Sequence, residues 1–373
     1  MKDIKVSEKH IGLRVVLFIV ALVLAASAFS IGVSSIGKKE SGYQKVSTSG
    51  DFAFYYYFEG TSNSIKKELK ALQTSYSAIL SGYCDQLDIA IAALNEGSEV
   101  SVPSQVYAVL KDAYKRTLEK KNFNMFAGAL YAEWKSILIL DEASAFDPLN
   151  NEYMAYRISE IAREVSDLSN FSLEFLDDST CTVRFRVSEH YSNFAAEFEL
   201  EAGALDLNLM TSAYKLSLIA SELEALGYDK GYLVSTDGLV VTLSKTPEQS
   251  YVLYGLEEGT VVGSAEDLAV IERGSVAVKG ASSKAFMSAF AFGSYYNATV
   301  NGRLRHLFFD TTTGEINDVI LACTIISETE TIGSSVVEDM AQLLYLCSLK
   351  TKEAVEASLD VVALESFVDC QFY

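Results

Sequence analysis

The chain has 373 residues, 30 Lys and Arg against 50 Asp and Glu, a net charge of −20 and a hydrophobic fraction of 49%. Such a surface repels nucleic acid, whose binding rests on Lys and Arg contacts to phosphate, while 21 Tyr and 20 Phe can fill a sizeable core. Three histidines and five scattered cysteines with no C-x-x-C pair leave little material for a zinc site, a His-rich metal site or a hydrolytic triad, and they do not choose a disulfide pair.

Residues 1–14 carry Lys2, Lys5, Lys9 and Arg14, and the run Val15 to Gly37 is uncharged. About 20 apolar residues suffice to span a bilayer as a helix. The basic flank keeps the N-terminus cytoplasmic, so the expected location is the cell membrane, single-pass, with everything from Lys38 outside. Ala26-Ser27-Ala28 offers an alternative signal-cleavage site, but the run continues through Ile31, Val33 and Ile36, which favours an uncleaved anchor. Residues 38–50 are read as a linker and 51–373 as one domain. Beyond residue 14 there are 26 basic and 48 acidic residues, a net −22 that disfavours docking on anionic lipid beyond the anchor itself.

Phe52 to Phe58 is aromatic and strand-like. Ile65, Leu69, Leu72, Tyr76 and Ile79 recur at helical spacing and predict a helix over 62–82. Val106, Val109, Leu110, Ala113 and Leu118 mark a second helix after Pro103, and Ile158, Ile161 and Val165 a third over 153–168. Cys181 to Val187 alternates as a strand, and a further strand is expected within 196–207. Thr211 to Leu226 is helical and stops at Gly227. Strands are expected over 232–243, 252–255, 275–278, 298–309 and 319–326, then a helix opened by the capping box Ser335-Val336-Val337-Glu338 and running to Leu349. Helices first and then a strand-rich half reads as α+β, with mixed or antiparallel sheets and packed helices.

Generic phosphate-loop, dinucleotide, hydrolase and metalloprotease motifs are absent. A spaced series of short segments is present instead: Ala93-Leu94-Asn95; Phe123-Asn124 with Gly128-Ala129-Leu130 and Trp134; Leu205-Asp206-Leu207 running to Tyr214; Ser235-Thr236-Asp237-Gly238; Ser275 to Gly280; Asp310-Thr311-Thr312-Thr313-Gly314; and Glu338-Asp339-Met340-Ala341-Gln342-Leu343. In order and spacing this series resembles the FAD:protein FMN transferase (ApbE) family over about residues 50–360. The resemblance implies an ApbE-like fold, FAD and Mg²⁺ as cofactors, and transfer of FMN to a Ser or Thr of an envelope flavoprotein. It places Asp206, Tyr214, Asp237, Lys279 and Thr313 at flavin-binding positions, Asp339 at the metal position, and Asp310 with His306 near the reacting phosphate.

The departures from that pattern are concentrated in the same segments. Asn208 and Leu209 replace a glycine pair, Ser212 a lysine, and Ala213 a further glycine. Leu307 stands where the family carries histidine; His306 is one residue early, the opposite face of a strand. Leu343 replaces a threonine metal ligand, and Val278-Lys279 a Thr-Ser pair. Attack of an alcohol on phosphorus needs charge neutralisation, a base and close backbone approach. The expectation is a degenerate site with weak or no transfer, with FAD and Mg²⁺ bound only where the family site persists and no cofactor as the limiting case. The rival expectations are an active Mg²⁺-dependent transferase and a non-catalytic binding or scaffold module.

Overall fold

The computed structural model describes residues 39–49, 52–140, 142–235, 239–245, 249–255, 271–278, 283–288, 298–316, 319–329, 334–362 and 366–372. The Val15 to Gly37 run, Asp237 and Lys279 lie outside the described residues. Among the described residues no helix is long and apolar enough to cross a membrane.

Strands β1 (Lys39–Ser49) and β2 (Phe52–Thr61) open the domain as an antiparallel hairpin. The stretch expected as a linker is therefore a strand. In β2 the even positions Phe52, Phe54, Tyr56 and Phe58 are buried and the odd ones partly exposed, the period-2 signature of a sheet covered on one face. Thr61 caps helix α1 (Ser62–Ile79), its hydroxyl accepting the Ser64 N–H at 3.3 Å. Ile65, Leu72, Tyr76 and Ile79 form the buried stripe of α1, with the Tyr76 ring 5.5 Å from Phe54. Each such side chain stabilises the fold by roughly 1.5–3 kcal/mol through burial. A π-helical turn, Leu80–Cys84, leads into α2 (Asp85–Asn95), so the helix expected to end at 82 continues with a jog.

Next come β3 (Glu99–Ser101), α3 (Ser104–Glu119), α4 (Gly128–Leu138), the short α5 (Ala143–Phe146) and α6 (Glu152–Ser166). β4 (Phe171–Asp177) and β5 (Thr182–Val187) pair antiparallel, and β3 adds to β5 to give a small three-stranded sheet. α7 (Glu189–Glu197) follows. The strand expected within 196–207 is not formed: Ala196 ends a helix, and 198–209 is irregular because its backbone bonds to other segments. α8 (Met210–Ala225) ends where expected, with Gly227 at φ +87° and the Tyr228 N–H returning to the Leu223 carbonyl.

The strand-rich half consists of β6 (Gly231–Ser235), β7 (Val240–Thr242), β8 (Gln249–Gly255), β9 (Ile271–Val278), β10 (Ser283–Ser288), β11 (Ala298–Val300), β12 (Arg303–Arg305) and β13 (Ile320–Thr329). Helices α9 (Ser334–Ser348) and α10 (Lys352–Val362) and strand β14 (Ser366–Phe372) complete the chain. The main sheet is antiparallel in the order β1-β2-β6-β7-β10-β13-β14. Its last pairing makes Cys323 and Cys370 register partners. α1 contacts β1 and β2, α8 contacts β6 and β7, and α9 contacts β10, β13 and α8. This is an α+β architecture of antiparallel sheets and packed helices, and it brings α9 alongside α8, the helix that follows Asp206.

Candidate functional site

Loop 120–128, between α3 and α4, gathers the other segments. Lys120 and Asn122 take φ of +55° and +60°, which turns the chain sharply at the end of α3. Buried Asn122 donates to the carbonyls of Phe309 (3.1 Å) and Leu344 (2.7 Å) and accepts the Thr311 N–H (2.9 Å). Asn124 donates to the Val165 carbonyl at 2.8 Å. The Met125 carbonyl accepts the Asp206 N–H at 2.8 Å, and the Gly128 N–H donates to the Ala204 carbonyl at 3.0 Å. A Cβ at Gly128 would sit 2.3 Å from the Gly203 carbonyl oxygen, so glycine is required for this approach. From the other side the Asn95 amide both donates to the Leu205 carbonyl (2.7 Å) and accepts its N–H (2.9 Å). Segments 95, 122–134, 203–208, 309–314 and 344 thus meet, with Trp134 Nε1 donating to the Gly314 carbonyl at 2.8 Å.

Asp206 sits at the rim of this junction. One carboxylate oxygen accepts the Asn208 N–H at 2.7 Å. The residue keeps an exposed edge, but desolvation on its walled side raises the carboxyl's pKa, outweighing the lowering effects of the Asn208 N–H and of Lys135. The buried Tyr131, held far above an ordinary phenol by desolvation first and by Asp206 and Cys347 next, packs 4.4 Å from the Phe309 ring. A carboxyl whose folded pKa is raised binds its proton more tightly in the folded state. It therefore subtracts stability as pH rises through the window above the ordinary carboxylate pKa. Asp206→Asn should gain stability over wild type on going from acid to neutral pH, and the two should converge at acid pH; parallel urea curves at both pH values check this. A constant difference across pH would assign no such penalty to Asp206.

Asn208 adopts φ +52°. Asparagine is among the few residues that enter this region readily, so the backbone turn expected of glycine survives the substitution. Leu209 packs partly buried against the core. Tyr214 is buried, and its hydroxyl donates to Asp112 at 2.8 Å; desolvation and then Asp112 raise its pKa strongly. Asp112 lies 2.6 Å from Arg116, and Arg116 lies 2.6 Å from Glu338. This chain of contacts ties α8 through α3 to the start of α9, where the neighbouring Asp339 is 1% exposed. Leu343, one turn on, is fully buried.

In the 306–316 turn, His306 Nδ1 accepts the Phe308 N–H at 3.1 Å and its ring lies edge-on to Phe308 at 5.6 Å. A ring nitrogen that accepts leaves the proton on Nε2, so that tautomer offers Nε2 as a donor and not as a base. Asp310 accepts the Thr312 N–H at 2.8 Å and stands 3.5 Å from Lys350. Thr313 is exposed, its hydroxyl accepting the Glu315 N–H at 3.3 Å. Gly314 has φ +76° and lies where a Cβ would meet Ile158 at 2.5 Å. The structure thus links Asp206, Tyr214, Asp310 and Asp339 through one set of packed segments. Sequence reasoning missed Asn95, Asn122 and Asn124 as the residues that tie those segments together.

A magnesium ion prefers oxygen ligands in near-octahedral array. Among the described residues no three His, Cys, Asp or Glu side chains converge to hold a metal ion. One turn on from Asp339, Leu343 contributes hydrocarbon and no oxygen donor. Two buried acceptors in the same segments, Asn208 Oδ1 and Gln342 Oε1, have no hydrogen-bond partner among the described residues. They suit a ligand that brings N–H or O–H donors.

No protein-family model matches the chain, and no curated protein matches it. Solved structures do. The crystal structure of the ApbE protein from Thermotoga maritima superposes with a TM-score of 0.57 at 14% identity, over 89% of this chain and 94% of that one. Flavin transferase ApbE from Vibrio cholerae gives 0.52 at 15% identity, over 90% and 97%. The apo form of the Pseudomonas stutzeri flavinyl transferase ApbE gives 0.51 at 14%, over 89% and 95%. These superpositions show that the chain has the fold of the ApbE flavin transferases, carried by a widely diverged sequence.

Proposed function

We propose that the protein is a membrane-anchored, extracytoplasmic relative of the FMN transferases whose flavin and metal site is degenerate, so that FMN transfer is weak or absent. The observation that carries this reading is Leu343: at the position of a metal-binding hydroxyl the chain places a fully buried side chain packed within the core. The tautomer of His306 set by the Phe308 N–H supports it, since it leaves the nearest histidine without an available base nitrogen. FAD would supply the FMN group, and Mg²⁺ would neutralise pyrophosphate charge; the residues here supply the pocket walls and little of that neutralisation.

The active-transferase reading keeps one observation in its favour, the preserved turn at Asn208. Equilibrium dialysis of the full chain against FAD, with and without Mg²⁺, separates the two. Binding that Mg²⁺ changes by less than about threefold is expected for a site with a single carboxylate ligand. Strong Mg²⁺-dependent binding would show that the metal site is intact and would favour the transferase.

A further inference from the structure

We propose that the outer face of the N-terminal half of α1 docks on the anionic lipid surface into which the chain is anchored. The proposal rests on the anchor reading given above. The uncharged run ends at Gly37 and β1 begins at Lys39, so a single residue separates them. With so short a joint, whatever lies at the Lys39 end of the β1–β2 hairpin is held at the membrane surface. Lys39 is the register partner of Thr61, and Thr61 is the N-cap of α1. The helix then runs alongside β1 in the same direction, since Gln73 donates to the Val46 carbonyl at 2.8 Å. The N-terminal turns of α1 and the membrane joint are therefore at the same end of the domain.

Lys66, Lys67 and Lys70 occupy these turns. All three are exposed, and at 100° per residue they share the face opposite Ile65, Leu72 and Tyr76. None has a carboxylate partner among the described residues. Glu40 and Glu59 are the acidic residues beside this end of the hairpin, and Glu59 is 3.6 Å from Lys230; Glu68, exposed on α1, lies off the lysine face at 100° per residue. Residues 38–70 hold six lysines against four acidic residues, in a chain that is net −20. Overall charge would push the domain off an anionic surface, but a field screened within about 8–10 Å is felt by the local patch and not by the distant average.

The arrangement also runs against what the helix alone prefers. The first turn of α1 has no acidic residue, and Lys66 and Lys70 are like charges at i,i+4 towards the positive end of the dipole. Among the described residues these lysines form no ion pair that compensates for this. An anionic partner outside it does, and juxtamembrane lysine clusters are the usual reader of anionic headgroups.

The test uses the full chain in nanodiscs of neutral phosphatidylcholine or of phosphatidylcholine with phosphatidylglycerol, and measures lysine acetylation by peptide mass spectrometry. In anionic discs at moderate salt, Lys66, Lys67 and Lys70 should react about threefold more slowly than in neutral discs, and the difference should vanish near 1 M salt. The exposed Lys115 and Lys352 should react alike in both. Equal rates at the α1 lysines in the two lipids would overturn docking while leaving the anchor intact. Slowing of equal size at Lys115 and Lys352 would also overturn it, as a general effect of the anionic disc. Failure of the chain to stay with either disc through gel filtration would overturn the anchor reading and docking with it.

Discussion

Asp147→Ala should lower stability by about 3–5 kcal/mol, because it leaves a buried guanidinium without its counter-ion. The Arg305 and Asp147 side chains are 4% and 1% exposed and meet at 2.8 Å. Arg305 closes the β11–β12 hairpin one residue before His306, and Asp147 caps the end of α5, where it also accepts the Leu149 N–H at 2.9 Å. The pair therefore fixes the strand that delivers the 306–316 turn to the site. Trp134 is the only tryptophan, is buried, and has the Arg305 guanidinium 5.6 Å from its ring, so its emission reports urea unfolding at this junction. Replacing both partners by apolar residues, Asp147→Leu with Arg305→Met, should recover most of the loss, since neither charge then remains buried. A shift below about 1 kcal/mol for Asp147→Ala, the level of a surface pair, would mean that Arg305 finds other compensation.

The second large effect concerns chemistry. Wild-type protein should fail to label a Ser/Thr acceptor with FMN from FAD and Mg²⁺ at a useful rate, read as covalent flavin by in-gel fluorescence. Loss of one positioned base or donor costs about 10²-fold or more. Here the lysine position is Ser212, the histidine position is Leu307, and the hydroxyl ligand is Leu343. Leu343→Thr should raise Mg²⁺ affinity by restoring an oxygen next to Asp339, yet leave transfer near background, because such groups act as a unit. Robust labelling by wild type that Asp339→Ala abolishes would replace the degenerate reading with an altered but working transferase.

Local patterning made the long helices legible. In α1, α3, α6 and α8 most of the apolar residues that recur every three or four positions are buried, Leu118 at the end of α3 being exposed, and Gly227 stops α8 as its chemistry predicts. β1 was hidden because its residues, KESGYQKVSTS, are mostly polar and only Val46 is fully buried. As an edge strand it is held by backbone pairing to β2 and by rings such as Tyr43 on Tyr57 at 5.2 Å, which periodicity does not register. α7 drew no expectation because Tyr191 and Phe194, its buried residues, carry too short an apolar pattern to declare a period. Asn208 looked like a lost glycine, and only its φ of +52° shows that the turn is kept.

What the sequence by itself determined is the α+β class, the main helices, and a series of short segments in the order of a known transferase fold. These follow from side-chain period and turn chemistry, which act within a few residues. Only the tertiary structure decided that Asn95, Asn122 and Asn124 bind those segments together, that Tyr214 reaches Glu338 through Asp112 and Arg116, and that Leu343 is buried where an oxygen ligand is expected. The physical reason is that an amide or carboxylate has several possible partners, and the one it takes is set by groups brought from elsewhere in the chain, from 41 residues away for Asn124 to 222 for Asn122.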